Sequence, residues 1–337
     1  KLKIKTILLT QTIFPNKFVI ISDLKDFGIY ENITNEYNKN QIEKILLEKD
    51  LYKNFTLKIR EDIKEKGLSL TSHDSLSKYS PYYNEKKKLR TNLLSFRFIK
   101  KILLKLFIYL RLIKRKDLEK IYLENLNKVE LKDFQVEKVL NNKNKKIFFA
   151  FHSQPEMSTS LFAGDFDDQL RILEKINRKK ITDKFILLTR EHPAQNHYQR
   201  DDLFFRRLKF LKNLNFLNRE FSMDRILESV DVIVTSSGTV GWEGLLSGKK
   251  CLLFGQSWYS KLHGVLEVAN DTSDEEIIEF LNKDFDKDKF YISLQNLYSS
   301  FYDGIISKWH ISISPNFDQK ENAKIEVENI LKFLKKK

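Results

Sequence analysis

Between residues 146 and 254 the chain repeats one pattern: a short run of Val, Ile, Leu and Phe, then a stretch with apolar residues at helical spacing. The runs at 146–151 (KIFFAF), 185–188, 230–234 and 250–254 read as buried strands. Residues 167–178 carry Leu170, Leu173 and Ile176 on one helical face, and 205–214 also reads as helical. Residues 216–217 read as a short strand. Met223–Ser229 reads as a helix behind Ser222, whose hydroxyl suits an N-cap. Buried strands alternating with helices require crossover connections, so the pattern predicts a parallel sheet with helices on both faces, an α/β fold.

The first half is less regular. Residues 4–9 and 18–21 read as strands, 40–49, 57–66 and 118–140 as helices, and 67–84 as a polar loop. A chain of 337 residues is long enough for two domains of about 100–200 residues each. The expected division is an N-terminal α/β domain at 1–143, a Rossmann-type ligand-binding domain at 144–312 and a C-terminal helix at 313–337. Lys335, Lys336 and Lys337 complement the dipole at that helix's end.

The net charge of +14 asks for an anionic partner. Most of it sits at 85–120, where thirteen Lys or Arg face three acids, a net +10. The same segment is dense in Leu, Ile and Phe, but Arg97, Lys100, Lys101, Lys105 and Arg111 interrupt it too often for a transmembrane helix. It reads either as a basic amphipathic helix on an anionic membrane surface or as one packed on the protein core. No nucleic-acid motif accompanies the charge, so nucleic acid is not an expected partner. The single cysteine, Cys251, excludes disulfides and thiolate zinc sites made by this chain alone and fits a reducing cytoplasm. Residues 1–10 carry no secretory signal pattern. The expected location is the cytoplasm, with peripheral attachment to the inner membrane.

Seven of the ten glycines and four of the six histidines fall between 152 and 264, which places the chemistry in the second half. Three segments follow strand ends there, where ligands of open α/β sheets bind. The first is 235–249, TSSGTVGWEGLLSGK, a hydroxyl- and glycine-rich turn entering a helix. Its Ser236, Ser237, Gly238 and Thr239 suit a phosphate at a helix N-terminus, and Glu243 suits ribose hydroxyls. Gly248 reads as the helix's C-terminal glycine. The same segment also reads as a capped helix whose glycines serve packing. The second is Glu191-His192-Pro193, with His192 able to contact a phosphate. The third is 151–158, where Glu156 suits nucleophilic or general-base work at a sugar, or alternatively helix capping together with Ser158. Asp165, Asp167 and Asp168 read mainly as caps of the next helix. Gln154, Lys261 and His263 are candidates for contact with the donor sugar, and the latter two equally read as ordinary surface residues.

The series HSQPE, FDDQLRILEKI, LLTREHP and SVDVIVTSSGTVGWEGLLSGKKCLLFGQSWY resembles the capsular polysaccharide synthesis family, which includes the bacterial β-Kdo transferases. The resemblance covers about 146–265. It implies a GT-B-like architecture, two Rossmann-type domains facing a cleft, with the C-terminal domain holding a nucleotide sugar. In characterised members that donor is CMP-Kdo, no metal or other cofactor is required, and transfer proceeds with retention. His192, Pro193, Ser236, Ser237 and Thr239 match the CMP-contacting motifs. Glu156 stands where those enzymes carry an Asp implicated as nucleophile. The function implied is a glycosyltransferase of capsule or related surface-polysaccharide synthesis that moves an acidic sugar, Kdo first among them, to a glycolipid or glycan acceptor. Two alternatives stand beside it. One is a transferase on the same fold using UDP-, GDP- or CMP-sialic acid donors. The other is a non-catalytic polysaccharide-assembly protein.

Overall fold

The computed structural model describes residues 6–48, 118–211, 213–307, 310, 311, 314 and 317–336. The helix expected at 57–66, the polar stretch 67–84 and the basic segment as far as residue 117 lie outside the described residues.

Two strands open the chain, β1 (Leu8–Gln11) and β2 (Lys17–Ile21), paired antiparallel. Six more form a wholly parallel sheet: β3 (Lys146–Ala150), β4 (Ile186–Arg190), β5 (Leu214–Leu217), β6 (Val232–Thr235), β7 (Lys250–Leu253) and β8 (Val265–Glu267). Their spatial order is β5-β4-β3-β6-β7-β8. The chain starts at the centre, winds outward to β5, then returns to β6 on the other side of β3. This is the Rossmann order, and the reversal between β3 and β6 opens a crevice at the strands' carboxyl ends. A ninth strand, Tyr302–Asp303, pairs with β2 and makes a separate three-stranded antiparallel sheet.

Alternate residues of a strand face opposite layers. Phe149, Leu187, Val232, Val234 and Leu252 face Tyr122, Leu170, Leu173 and Ile277. Phe148, Leu188, Leu217 and Ile233 face Val136, Leu140, Ile226 and Val230. Both faces are therefore apolar, which is why these strands read as unbroken hydrophobic runs. The N-terminal segment shares a third core with the second half. Phe14 is wholly buried, with ring centroids 5.8 Å from Trp258, 6.2 Å from Trp242 and 5.1 Å from Tyr298.

The expected α/β architecture is present, with shifted boundaries. The single helix expected at 118–140 is two, 118–129 and Asp133–Leu140. The break docks on the sheet edge: Leu131 N–H donates to Phe216 O at 2.8 Å, and Glu130 accepts from Arg219 N at 2.9 Å. Gln169–Ile176 is capped by Asp168, whose carboxylate accepts from Leu170 N. Ser222 caps Met223–Ser229. The C-terminal helix runs Gln319–Lys336. Among the described residues no helix is long and apolar enough to cross a membrane.

Candidate active site

The loops after β3, β4 and β6 meet at the carboxyl edge of the sheet. After β6 the backbone turns through Ser236 and Ser237 to Gly238, the N-cap of the helix Thr239–Leu246. Thr235 Oγ1 accepts from Gly238 N at 3.0 Å and so supports the turn from below. The helix lies flat on the sheet because two of its glycines allow it. A Cβ on Gly244 would stand 2.5 Å from Ile233 Cγ1, and one on Gly241 would stand 2.5 Å from Tyr259 Oη. These two glycines serve packing. Gly248, at φ +72°, ends the helix in the left-handed conformation.

Ser236 is wholly buried and its hydroxyl has no partner among the described residues. Ser237 is engaged, its Oγ donating to Ser158 O at 2.8 Å. That bond ties the β6 loop to the turn that carries Glu156. Thr239 and Glu243 are exposed on the helix. Tyr259 Oη, from the loop after β7, donates to Gly238 O and holds the N-cap in place.

After β3 comes His152, which is buried, then Gln154, Pro155 and Glu156. Glu156 is exposed and starts the short helix Met157–Ser160, its carbonyl accepting from Ser160 N at 2.8 Å. Its backbone thus makes the turn, while Ser158 Oγ lies 3.4 Å from its Oε2. After β4, His192 is half-buried and Pro193 exposed. His192 Nδ1 accepts from Ala194 N at 3.1 Å, so in the neutral ring the proton sits on Nε2.

A buried ion pair braces the loop after β4, and its arginine reaches across to the loop after β3. Arg200 Nε donates to Glu191 Oε2 at 2.7 Å and Nη2 to Glu191 Oε1 at 3.3 Å. Arg200 Nη1 donates to Gln154 Oε1 at 2.7 Å, and its guanidinium stacks over Phe204 and Phe151. Glu191 in turn accepts from His192 N at 2.8 Å. Gln195 adds a second tie, accepting from Gln154 N at 2.7 Å. Gln154 and Arg200, with Asp167, Asp168, Gln199 and Phe204, line a cleft of about 210 Å³.

The titration of His152 is shifted by its surroundings. Burial pushes its pKa down to about 3, with the nearby charges of His192 and Arg200 acting in the same direction. It is neutral across the physiological range. Among the described residues no cluster of three or more His, Cys, Asp or Glu could hold a metal.

The sequence-derived candidates divide. Gln154, Glu156, His192, Pro193, Ser236, Ser237, Gly238, Thr239 and Glu243 all lie on the three loops or the helix they feed. His263 lies apart. His263 stands just before β8, beside the amino end of β7, where Cys251 N donates to Gly264 O at 2.8 Å. Lys261 is ion-paired with Glu267, the last residue of β8, and so stands at the carboxyl edge of the sheet but on its outermost strand, two strands from β6. His152, Gln169, Gln195 and the Glu191–Arg200 pair also belong to the site. His152, Gln169 and Glu191 stand inside the segments HSQPE, FDDQLRILEKI and LLTREHP, which gave them no role, and Gln195 and Arg200 lie outside those segments.

A family model described as capsule polysaccharide biosynthesis protein matches residues 31–290. No curated protein matches the chain. Among solved structures it is similar to two of Thermosulfurimonas dismutans KpsC. The β-Kdo 2,4 transferase is 12% identical over 65% of this chain and 59% of that one, at a TM-score of 0.29. The β-Kdo 2,7 transferase is 14% identical over 52% and 57%, at 0.32. WaaG, a glycosyltransferase involved in lipopolysaccharide biosynthesis, is 10% identical over 54% of this chain and 46% of that one, at 0.32. The chain thus spans less than two thirds of the length of these proteins.

Proposed function

Since the chain belongs to the capsule polysaccharide biosynthesis protein family, we propose that it is a glycosyltransferase that moves an acidic sugar, Kdo first, from its CMP-activated form to a glycan or lipid-linked acceptor with retention. The observation that carries this reading is the convergence of His192, Ser236, Gly238 and Glu156 at the switch point of a Rossmann-order sheet. The leaving group is a phosphate, and the free N–H groups at the start of Thr239–Leu246 together with His192 suit the charge it gains. In the proposed reaction the Glu156 carboxylate attacks the anomeric carbon as the bond to the CMP phosphate breaks and its electron pair leaves on phosphate. An acceptor hydroxyl then displaces Glu156, losing its proton to a base, and the two inversions sum to retention. Exposure of Glu156 leaves it within reach of a substrate.

Calorimetry with CMP, UDP and GDP tests the donor. CMP is expected to bind most tightly. Tighter binding of UDP or GDP would replace the donor class, and silence with all three would overturn the transferase reading in favour of a non-catalytic role. The reaction is proposed to run at the cytoplasmic face of the membrane, held there by the basic segment 85–120. Flotation with anionic liposomes should fall when Lys100, Lys101 and Lys105 are changed to Glu, and unchanged flotation would refute that attachment.

A further inference from the structure

The reaction above uses His192 and leaves the other histidine of the site, His152, without a part. His152 is 8% exposed. Gln169 fixes its backbone on both sides, accepting from His152 N at 2.7 Å and donating to His152 O at 3.0 Å. The ring is fixed as well. Its Nε2 accepts from Ser236 N at 3.3 Å and lies 2.8 Å from Thr235 Oγ1. A nitrogen that accepts a backbone N–H carries no proton, so the ring proton is on Nδ1 and the Thr235 hydroxyl also donates to Nε2.

That Nδ1–H has no acceptor among the described residues, and it is aimed at a definite place. A Cβ on Gly238 would stand 2.2 Å from His152 Cε1 and 3.0 Å from Nδ1. The Nδ1–Cε1 edge therefore lies against the N-cap of the helix Thr239–Leu246. The buried Ser236 hydroxyl, beside it in the chain, is a second unpartnered donor. Buried polar groups in folded proteins are nearly always paired, so the buried, unpaired Ser236 hydroxyl, with the imidazole N–H against the same helix N-terminus, marks a missing acceptor.

We propose that His152 donates its Nδ1–H to a phosphate oxygen of the bound nucleotide, with the Ser236 hydroxyl as a second donor to the same group. The inference rests on the nucleotide-sugar reading and adds to it a ligand residue that no motif assigns. It also explains Gly238: any side chain there would fill the space between the imidazole and the helix start.

The test uses the full chain labelled with ¹⁵N-histidine, titrated with CMP, UDP and GDP and with the matching nucleosides, which lack the phosphate. The His152 Nδ1 resonance is expected to sit in the protonated-nitrogen range and to shift with a nucleotide but not with its nucleoside. In calorimetry, His152→Gln keeps an acceptor for the Ser236 N–H and loses the ring donor. It should weaken the nucleotide about tenfold or more and leave nucleoside affinity unchanged. Thermal melting of the variant confirms that it is folded. Equal weakening of nucleotide and nucleoside, or an Nδ1 resonance that ignores the phosphate, would overturn the assignment. A wild-type protein silent to every nucleotide would instead overturn the donor reading on which it rests.

Discussion

Replacing Arg200 by Met removes one partner of a fully buried ion pair and leaves the other in place. The side chains of Arg200 and Glu191 are 1% and 0% exposed. In the variant the Glu191 carboxylate keeps the His192 N–H as a donor and loses two guanidinium N–H groups, at 2.7 and 3.3 Å. Met preserves apolar contact with Phe151 and Phe204, so the loss is chiefly electrostatic. Stranding one member of a buried pair costs about 3–5 kcal/mol. Unfolding entropy is about 2.1 cal/mol/K per residue, so 337 residues give about 0.7 kcal/mol/K. The melting temperature should therefore fall by about 4–7 °C. The double variant Glu191→Gln/Arg200→Met no longer strands a charge and should recover more than half of that fall. It should not recover all of it, because Gln154 Oε1 still loses its 2.7 Å donor. Scanning calorimetry of the four proteins in the cycle measures the coupling. Additive losses in the double variant, or Arg200→Met melting within about 1 °C of wild type, would refute the view that this pair braces the loop after β4.

Three further expectations rest on single features. Gly244→Ala places a Cβ 2.5 Å from Ile233 Cγ1 and should cost about 1–3 kcal/mol by overpacking, visible in denaturant unfolding; a wild-type midpoint would show that the helix can lift. Glu156→Ala should abolish transfer while the melting temperature holds, since the side chain is exposed; full turnover would eliminate it as nucleophile. The folded-state pKa of His152, near 3, lies below the ordinary value of 6.5, so the unfolded chain binds the extra proton between those values. Stability should rise with pH across about pH 3 to 6.5, and His152→Gln should flatten that slope; an unchanged slope would refute the assignment.

The strands of the parallel sheet were legible because burial on both faces leaves no polar alternation, as in KIFFA, VIVT and KCLL. The exception is β8, three half-buried residues at the sheet edge, too short for a pattern. The break near Leu131 was hidden for another reason: no Gly or Pro makes it, only docking on Phe216 O and Arg219 N. At the site, the Ser/Gly turn and His192 could be read from their places after strands. His263 lies away from these loops because the chain leaves the carboxyl end of β7 and crosses back to the sheet's amino end before β8. The buried network was out of reach of local reading. His152 meets Thr235 across 83 residues and Gln169 across 17, and only the folded sheet brings them together.

The chain's charge and its anion site are also separate in kind, and this yields a last expectation. The +10 segment at 85–120 precedes the three loops of the switch point in the chain and supplies none of their residues. At the switch point the fixed charges are offset: Arg200 by Glu191, and Arg190 by the fields of Glu220 and Glu243. His152 is neutral there. A phosphate at this site would be held mainly by N–H and O–H donors and by the start of the helix, not by an excess of lysines. Donor bonds inside a partly buried crevice are screened little by salt, whereas a cluster of exposed lysines against a lipid surface is screened within a Debye length. Raising salt from about 0.05 to about 0.5 M should therefore release the protein from anionic liposomes and change nucleotide affinity by no more than about threefold. Paired calorimetric and flotation titrations compare the two on one preparation. A nucleotide affinity that falls in step with liposome binding would mean that the phosphate site draws on the basic segment, and the separation argued from these residues would be wrong.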